Sequence, residues 1–461
     1  MKESSYTLLI IESPVLAGII QNLIPEPVYV IATGGFCWQP VYNSEKNQLS
    51  ARAVPKKSEL RKELKEQAQW AGEVIIATDQ DPSGDFIAWS VLRFLKTEKI
   101  KRARLQNISR NGIRKMLDNA SVQDESRLTA RLRNRFLIRH EWSRASLPLT
   151  MQLAGLAAVS GSSGTFQTFK DEHGNLFKST KTFQCTSEEQ IEVHSVDCEK
   201  TYIQQKPLSA FDVIFELSKN TSTASFDESN KLLQKLFQTL LPSSERSLIS
   251  YPRTSEQAFY SETWETLKNQ YMNIGPLNDL RPDFIQQMAA PDIPHESIYP
   301  LDLALTPEQI RGEFPKKISS LYQIIYRNTL DALKMPAAVE KAYQADSLSS
   351  QPDTRFYASG SASDKEPLSL RPVLTVADFG HALNRLGVQK PSSFGKNLDF
   401  WINEKWISIH CGIVKPGKRL APYLSSGEIY RKKLTVLRQA ANFCDLTPET
   451  VRSILTSNDH D

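Results

Sequence analysis

Ile76-Ala77-Thr78-Asp79-Gln80-Asp81-Pro82-Ser83-Gly84-Asp85 is the stretch from which the fold is read. It continues a short apolar run that begins at Glu73, and Phe86–Leu95 after it is amphipathic. The order is therefore strand, acidic turn, helix. Upstream, Tyr6–Ile11 is a second apolar run, followed by Glu12-Ser13-Pro14 and the amphipathic Val15–Leu23. Glu12 then stands at the carboxyl end of a strand, where open α/β sheets gather their sites. Val28–Ala32 and Arg102–Ile108 read as further strands, and Lys56–Trp70 and Arg110–Asn119 as helices. The alternation predicts a mostly parallel sheet with helices on its faces. In an extended turn, Asp79 and Asp81 face one side together, and Glu12 joins them from the neighbouring strand end. Three such acids repel one another unless a cation intervenes, and Mg²⁺ takes oxygen ligands of this kind. An Asp-x-Asp pair alone is commonly a solvated loop; with the preceding strand, the glycine and the Glu-Ser-Pro turn it is far more specific.

Outward from this unit, Arg127–Arg144 carries six arginines. Arg131, Arg135 and Arg139 recur every four residues along one helical stripe, with Arg133 and Arg144 beside it and Leu132, Phe136, Leu137 and Trp142 interleaved. Such a stripe is either a solvated face or a phosphate track with aromatics that stack on bases. Alternation in Thr180–Cys185 and Gln190–Val196 predicts antiparallel strands, Asp227–Leu241 a helix, and Ser255–Tyr271 another. Residues 337–365 look β-like and then loose.

Leu248-Ile249-Ser250-Tyr251-Pro252-Arg253-Thr254-Ser255 holds a tyrosine two residues before an arginine. A tyrosine, with an ordinary pKa of about 10, is a poor nucleophile unless a cation stabilises its phenolate. Arg253 can do that and grip a phosphate with the same planar fork. The plain alternative is a strand end with a half-buried tyrosine. His295-Glu296, in a proline-bounded loop, suits phosphate contact or proton relay, or a histidine bonded to backbone. Lys390 and Ser392 flank Pro391 at a predicted helix start, a geometry apt for phosphate.

With 461 residues, 40% of them hydrophobic, the chain is long enough for several domains. No apolar run approaches a membrane span, and the N-terminus does not read as a signal peptide. Five dispersed cysteines (Cys37, Cys185, Cys198, Cys411, Cys444) argue for reduced cytoplasmic thiols and against zinc ribbons or a disulfide framework. The net charge of +4 identifies no partner.

The segments Ile10–Pro14 and Ile76–Trp89 resemble the Toprim domain of type IA DNA topoisomerases. The arginine helix, the Tyr251 segment, His295–Ile298 and Leu386–Gly395 are similar to four later motifs of that family, in the same order. The resemblance implies a toroidal core: a Toprim metal-binding domain over 1–120, a DNA-binding helical gate segment and the start of a β arch over 121–205, a nucleophile domain over 206–336, the arch's return over 337–365, and a winged-helix-like DNA-binding segment with C-terminal helices over 366–461. It implies ATP-independent cleavage of single-stranded or negatively supercoiled DNA through a 5′-phosphotyrosine at Tyr251, strand passage and religation. Arg253 and His295 would stabilise the phosphate, and Glu12 would shuttle a proton. Mg²⁺ (or Mn²⁺) would sit at Glu12, Asp79, Asp81 and Asp85. Arg131, Arg133, Arg135, Arg139, Arg144, Lys390 and Ser392 would bind DNA. A monomer without C-terminal zinc modules is expected.

Four departures stand against the family's pattern. Leu16 replaces a lysine, Ser83 and Asp85 replace two glutamates of the acidic loop, Phe36 replaces a histidine, and Arg135 falls where an aspartate is usual. They leave open a second reading, a topoisomerase-like single-stranded-DNA-binding protein with weak or no cleavage.

Overall fold

The computed structural model describes residues 6–457 apart from 25–26, 80, 96–99, 162, 187–188, 203–204, 220–224, 241–244, 277–279, 281–294, 335–337, 346–354, 359–367 and 444–445. Gln80, Pro294, Cys444, most of the irregular 273–291 stretch and most of the Ser/Asp/Gly-rich 347–364 loop lie outside the described residues.

A parallel sheet organises the N-terminal unit. It contains β1 (Thr7–Ile11), β2 (Val28–Ala32), β5 (Glu73–Ile76) and β6 (Ile100–Arg102) in the order β2-β1-β5-β6, with β7 (Ser121–Val122) antiparallel at the edge. Its helices are α1 (Pro14–Leu23), α2 (Ser58–Trp70), α3 (Pro82–Leu95) and α4 (Arg110–Asp118). A hairpin of β3 (Trp38–Asn43) and β4 (Gln48–Ala53) inserts between β2 and α2; no sequence pattern singled it out. Ser13 caps α1, and Pro14 occupies its first turn, where a missing N–H costs nothing. β1 is buried on both faces, as strands of a covered parallel sheet are. Leu8 and Ile10 face the apolar layer under α2 and α3, while Leu9 and Ile11 face a second core shared with the Tyr251 segment. The chain leaves β1 toward β2 and leaves β5 toward β6, in opposite directions across the sheet. The carboxyl ends of β1 and β5 therefore flank a switch-point crevice.

Next come α5 (Glu125–Arg144) and α6 (Met151–Ser160), then β8 (Ser163–Lys170), β9 (Leu176–Thr186) and β10 (Ile191–Tyr202). These strands close a barrel with β11 (Ala338–Ala345), β12 (Arg355–Ala358) and β13 (Leu368–Pro372), in the order β10-β11-β12-β9-β8-β13. Phe169, Phe177, Tyr343 and Phe356 fill it. Between β10 and β11 the chain forms a helical unit: α7 (Ala210–Ser218), α8 (Phe226–Gln238), α9 (Ser261–Tyr271), α10 (Pro307–Arg311) and α11 (Lys316–Leu333). Fully buried Phe237 and Phe259 each contribute roughly 2–3 kcal/mol of apolar burial to it. The C-terminal unit has β14 (Leu374–Thr375), α12 (Val376–Arg385), α13 (Pro391–Asn403), β15 (Ile407–His410), β16 (Ile413–Pro416), α14 (Gly427–Ala440) and α15 (Pro448–Thr456). Its small sheet has the order β14-β16-β15.

Three local expectations are corrected. The strand expected over Arg102–Ile108 ends at Arg102, because the next residues pair with another segment: Gln106 O accepts from Tyr251 N at 3.0 Å and Ile108 O from Ser247 N at 2.8 Å. The helix expected from Ser255 begins at Ser261, since Ala258 O accepts from Ser297 N and Glu296 caps Tyr260 N. The interleaved residues Leu132, Leu137 and Trp142 are buried in the core, and Phe136 stacks on Tyr42, so none of these faces an open groove. No helix among the described residues is long and apolar enough to cross a membrane.

Candidate active site

Tyr251 lies at the seam between the parallel sheet and the helical unit. Its ring is sandwiched, with His295 stacked on it at 4.0 Å between centroids and Phe237 edge-on at 5.6 Å. Burial and the neighbouring Asp79 carboxylate, which accepts the phenol's hydrogen bond, push its pKa well above the ordinary value. Arg253 acts in the opposite sense but is itself tied to Asp79, Nη1 to Oδ2 at 2.7 Å. His295 is buried, and among the described residues neither ring nitrogen has a hydrogen-bond partner. Burial, helped by Arg104, lowers its pKa to about 3, so the ring is neutral at physiological pH and available as a donor, not as a cation. Its neighbour Glu296 turns the other way, accepting from Tyr260 N, Thr263 Oγ1 and Tyr299 Oη; burial lifts its pKa to about 7.

Glu12 sits beyond β1, where Gly34 N donates to its carbonyl at 2.8 Å. Gly34 and Gly35 take positive φ values of 56° and 93° to turn the chain past it. Burial, then Asp79 and Asp81, raise the Glu12 pKa. A cavity of about 490 Å³ is lined by Glu12, Asp79, Arg104, Tyr251, Arg253 and His295 among others. Arg104 is the cavity residue that sequence reasoning missed; the basic run Lys101-Arg102-Ala103-Arg104 was its signal.

The acidic loop is a helix start. Asp81 Oδ1 accepts from Ser83 N and Gly84 N at 2.8 and 2.9 Å, capping α3. Gly84 is required sterically: a Cβ there would stand 1.9 Å from the Asp79 carbonyl oxygen. Asp85 does not join the other acids. It is 3% exposed and binds Arg102 at 2.9 Å, Arg131 at 2.7 Å and Arg135 at 3.2 Å. This corrects two expectations at once: one turn into α3, Asp85 points toward α5 and away from the crevice, and two arginines of the stripe are engaged within the protein. Arg133 is half-buried on α5, while Arg139 and Arg144 are exposed. Lys390 and Ser392 are at the start of α13 as expected, but Lys390 reaches the acids: its Nζ lies 2.6 Å from Asp81 Oδ2 and 3.4 Å from Ser83 Oγ.

The carboxylate chemistry suits Mg²⁺; the arrangement does not. Among the described residues no three His, Cys, Asp or Glu side chains form a group that could hold a metal ion. Asp79 is closed by Arg253, Asp81 by Lys390 and Asp85 by three arginines. Leu16 packs against the apolar core, and Phe36 lies edge-on to Phe86 at 5.4 Å.

The Toprim domain family matches residues 7–108, the segment that carries Glu12, Asp79, Asp81 and Asp85. Full-length topoisomerase I from Thermotoga maritima superposes with a TM-score of 0.65 at 17% identity, covering 97% of this chain and 88% of that one. This is the toroidal type IA topoisomerase fold. DNA topoisomerase 1 of Mycoplasmoides gallisepticum is 23% identical over 451 residues, 78% of this chain and 62% of that protein. DNA topoisomerase 1 of Synechocystis sp. is 31% identical over 153 residues, 29% of this chain and 17% of that protein. The chain thus spans about three fifths of the length of the Mycoplasmoides protein and far less of the Synechocystis one. Toprim domains in general bind Mg²⁺. Here Asp79 and Asp81 of the Toprim domain are paired with Arg253 of the helical unit and Lys390 of the C-terminal unit.

Proposed function

We propose that the chain is a DNA topoisomerase of type IA, which cleaves single-stranded DNA, passes a second strand through the break and reseals it without ATP. One observation carries this reading: Glu12, Arg104, the Tyr251–Arg253 segment and His295 converge on a single cavity from four stretches of chain. In the reaction Tyr251 Oη attacks phosphorus, the bond to the 3′ oxygen breaks, and the 5′ phosphate stays on the tyrosine. The phenol proton passes to Asp79, its hydrogen-bond partner, and Glu12 gives its proton to the departing 3′ oxygen. The raised pKa of Glu12 favours that protonated form. Arg253 has donors beyond the one spent on Asp79, and these take the non-bridging oxygens; neutral His295 adds one N–H. Resealing is the reverse, driven by the bond retained in the phosphotyrosine. Exposed Arg139 and Arg144, with Ser392 at the start of α13, hold flanking phosphates, while Arg131 and Arg135 are held by Asp85.

A second reading, a ring that binds single strands without efficient cleavage, is favoured by one observation: Asp79 and Asp81 are occupied by Arg253 and Lys390. Covalent trapping separates the two. Labelled single-stranded DNA is incubated with the protein and Mg²⁺ and then denatured, alongside Tyr251→Phe. A DNA–protein adduct that disappears in the variant supports cleavage. Retained DNA binding without an adduct, with Mg²⁺ or Mn²⁺, sinks it in favour of the second reading.

A further inference from the structure

Lys390 belongs to the C-terminal unit, more than three hundred residues beyond the acids it meets. Its Nζ closes on Asp81 Oδ2 at 2.6 Å and lies within reach of Ser83 Oγ at 3.4 Å. It is the N-cap residue of α13, so the positive end of that helix dipole arrives at the acidic loop with it. Lys390 and Arg253 together lower the cost of ionising Glu12. The three carboxylates of the crevice, Glu12, Asp79 and Asp81, therefore face two internal cations, each delivered by a different unit of the fold.

We propose that Lys390 is the built-in cation of this acid cluster and competes with a divalent metal for Asp81. A metal can take the Asp81 oxygen only after the ammonium leaves, and a bound metal in turn expels Lys390. Affinity and release are then linked and reciprocal. The proposal rests on reading Glu12, Asp79 and Asp81 as the acid cluster of the cleavage site. The tyrosine-adduct assay tests that reading separately, so failure of the one is distinguishable from failure of the other.

The test is direct Mn²⁺ binding, measured by electron paramagnetic resonance on the full chain and its Lys390→Met variant, which keeps length and loses charge. We expect removal of the lysine to tighten Mn²⁺ at least tenfold, and Asp81→Asn in the same background to abolish the gain. Lys390→Arg, which keeps the charge, should bind as weakly as the parent. In the unaltered protein, Mg²⁺ should raise the labelling of Lys390 by an amine-reactive reagent, measured by mass spectrometry against exposed Lys396. Equal or weaker Mn²⁺ binding by Lys390→Met, tightening in Lys390→Arg as well, no binding by either protein, or labelling indifferent to Mg²⁺ each overturns the proposal.

Discussion

The imidazole of His295 lies on the ring of Tyr251, 4.0 Å between centroids and 21° from parallel, and among the described residues neither of its nitrogens has a partner. In the proposed reaction the stacked ring holds the tyrosine in place and its one N–H would donate to a phosphate oxygen. His295→Ala should reduce single-turnover adduct formation roughly 10²–10³-fold, the usual cost of one preorganised donor. With a pKa near 3, His295 does not titrate in the working range. The cleavage rate measured from pH 5.5 to 8.5 should show no inflection near 6.5 that depends on this residue. A histidine-like inflection that vanishes in His295→Gln would refute the neutral-donor role.

Glu296 makes stability depend on pH. Its folded pKa of about 7 exceeds the ordinary carboxylate value of 4.5, so between these the folded protein holds a proton that the unfolded chain has lost. Its contribution is complete below pH 4.5 and disappears as pH rises to 7, by roughly 3 kcal/mol. His295 works in the opposite sense, losing its contribution as pH falls from 6.5 toward 3. The comparison of interest is thus between the parent and Glu296→Gln by urea unfolding at pH 5 and pH 8. The parent should lose stability relative to the variant on going to pH 8.

Asp85 anchors arginines. Replacing it by Asn leaves Arg102, Arg131 and Arg135 crowded without their counter-ion, and burial together with mutual repulsion already disfavours the charge on Arg135. We expect a loss of about 3–5 kcal/mol in urea unfolding. Mn²⁺ binding should be unchanged, which a ligand role for Asp85 would not allow.

Gly84→Ala should be among the most damaging small substitutions in the chain. Its methyl group meets the Asp79 carbonyl oxygen at 1.9 Å, so either α3 or Asp79 must move. A drop of several kcal/mol in the unfolding free energy is expected, with loss of the tyrosine adduct. Gly18→Ala, which meets nothing within 4 Å, serves as the benign control.

Arg139 and Arg144 are exposed on α5, whereas Arg131 and Arg135 are tied to Asp85. If the first two contact phosphates, Arg139→Ala and Arg144→Ala should each flatten the salt dependence of single-strand affinity by about 0.7 in log–log slope. Fluorescence anisotropy between 50 and 300 mM salt would measure it, and an unchanged slope would remove these residues from the DNA track.

Most of the charged and aromatic residues that line the cavity were legible in the sequence. Short apolar runs ending in Glu12 and in Asp79–Asp81 identified strand ends, because a strand covered on both faces is recognised by unbroken hydrophobicity. The tyrosine–arginine spacing and the Pro391 helix start were equally plain. The sequence could not show which charges meet. Asp85 is one turn from Asp81 and reads as its companion, yet the start of α3 at Pro82 rotates it toward α5. Residues 103–108 have the composition of a strand and pair instead with the tyrosine segment, since backbone partners are chosen by packing between units. Lys390 finds Asp81 across more than three hundred residues for the same reason. Periodicity and capping act over a few residues and are written locally. Ion pairing and burial depend on distances between elements, and only the closed tertiary arrangement sets those.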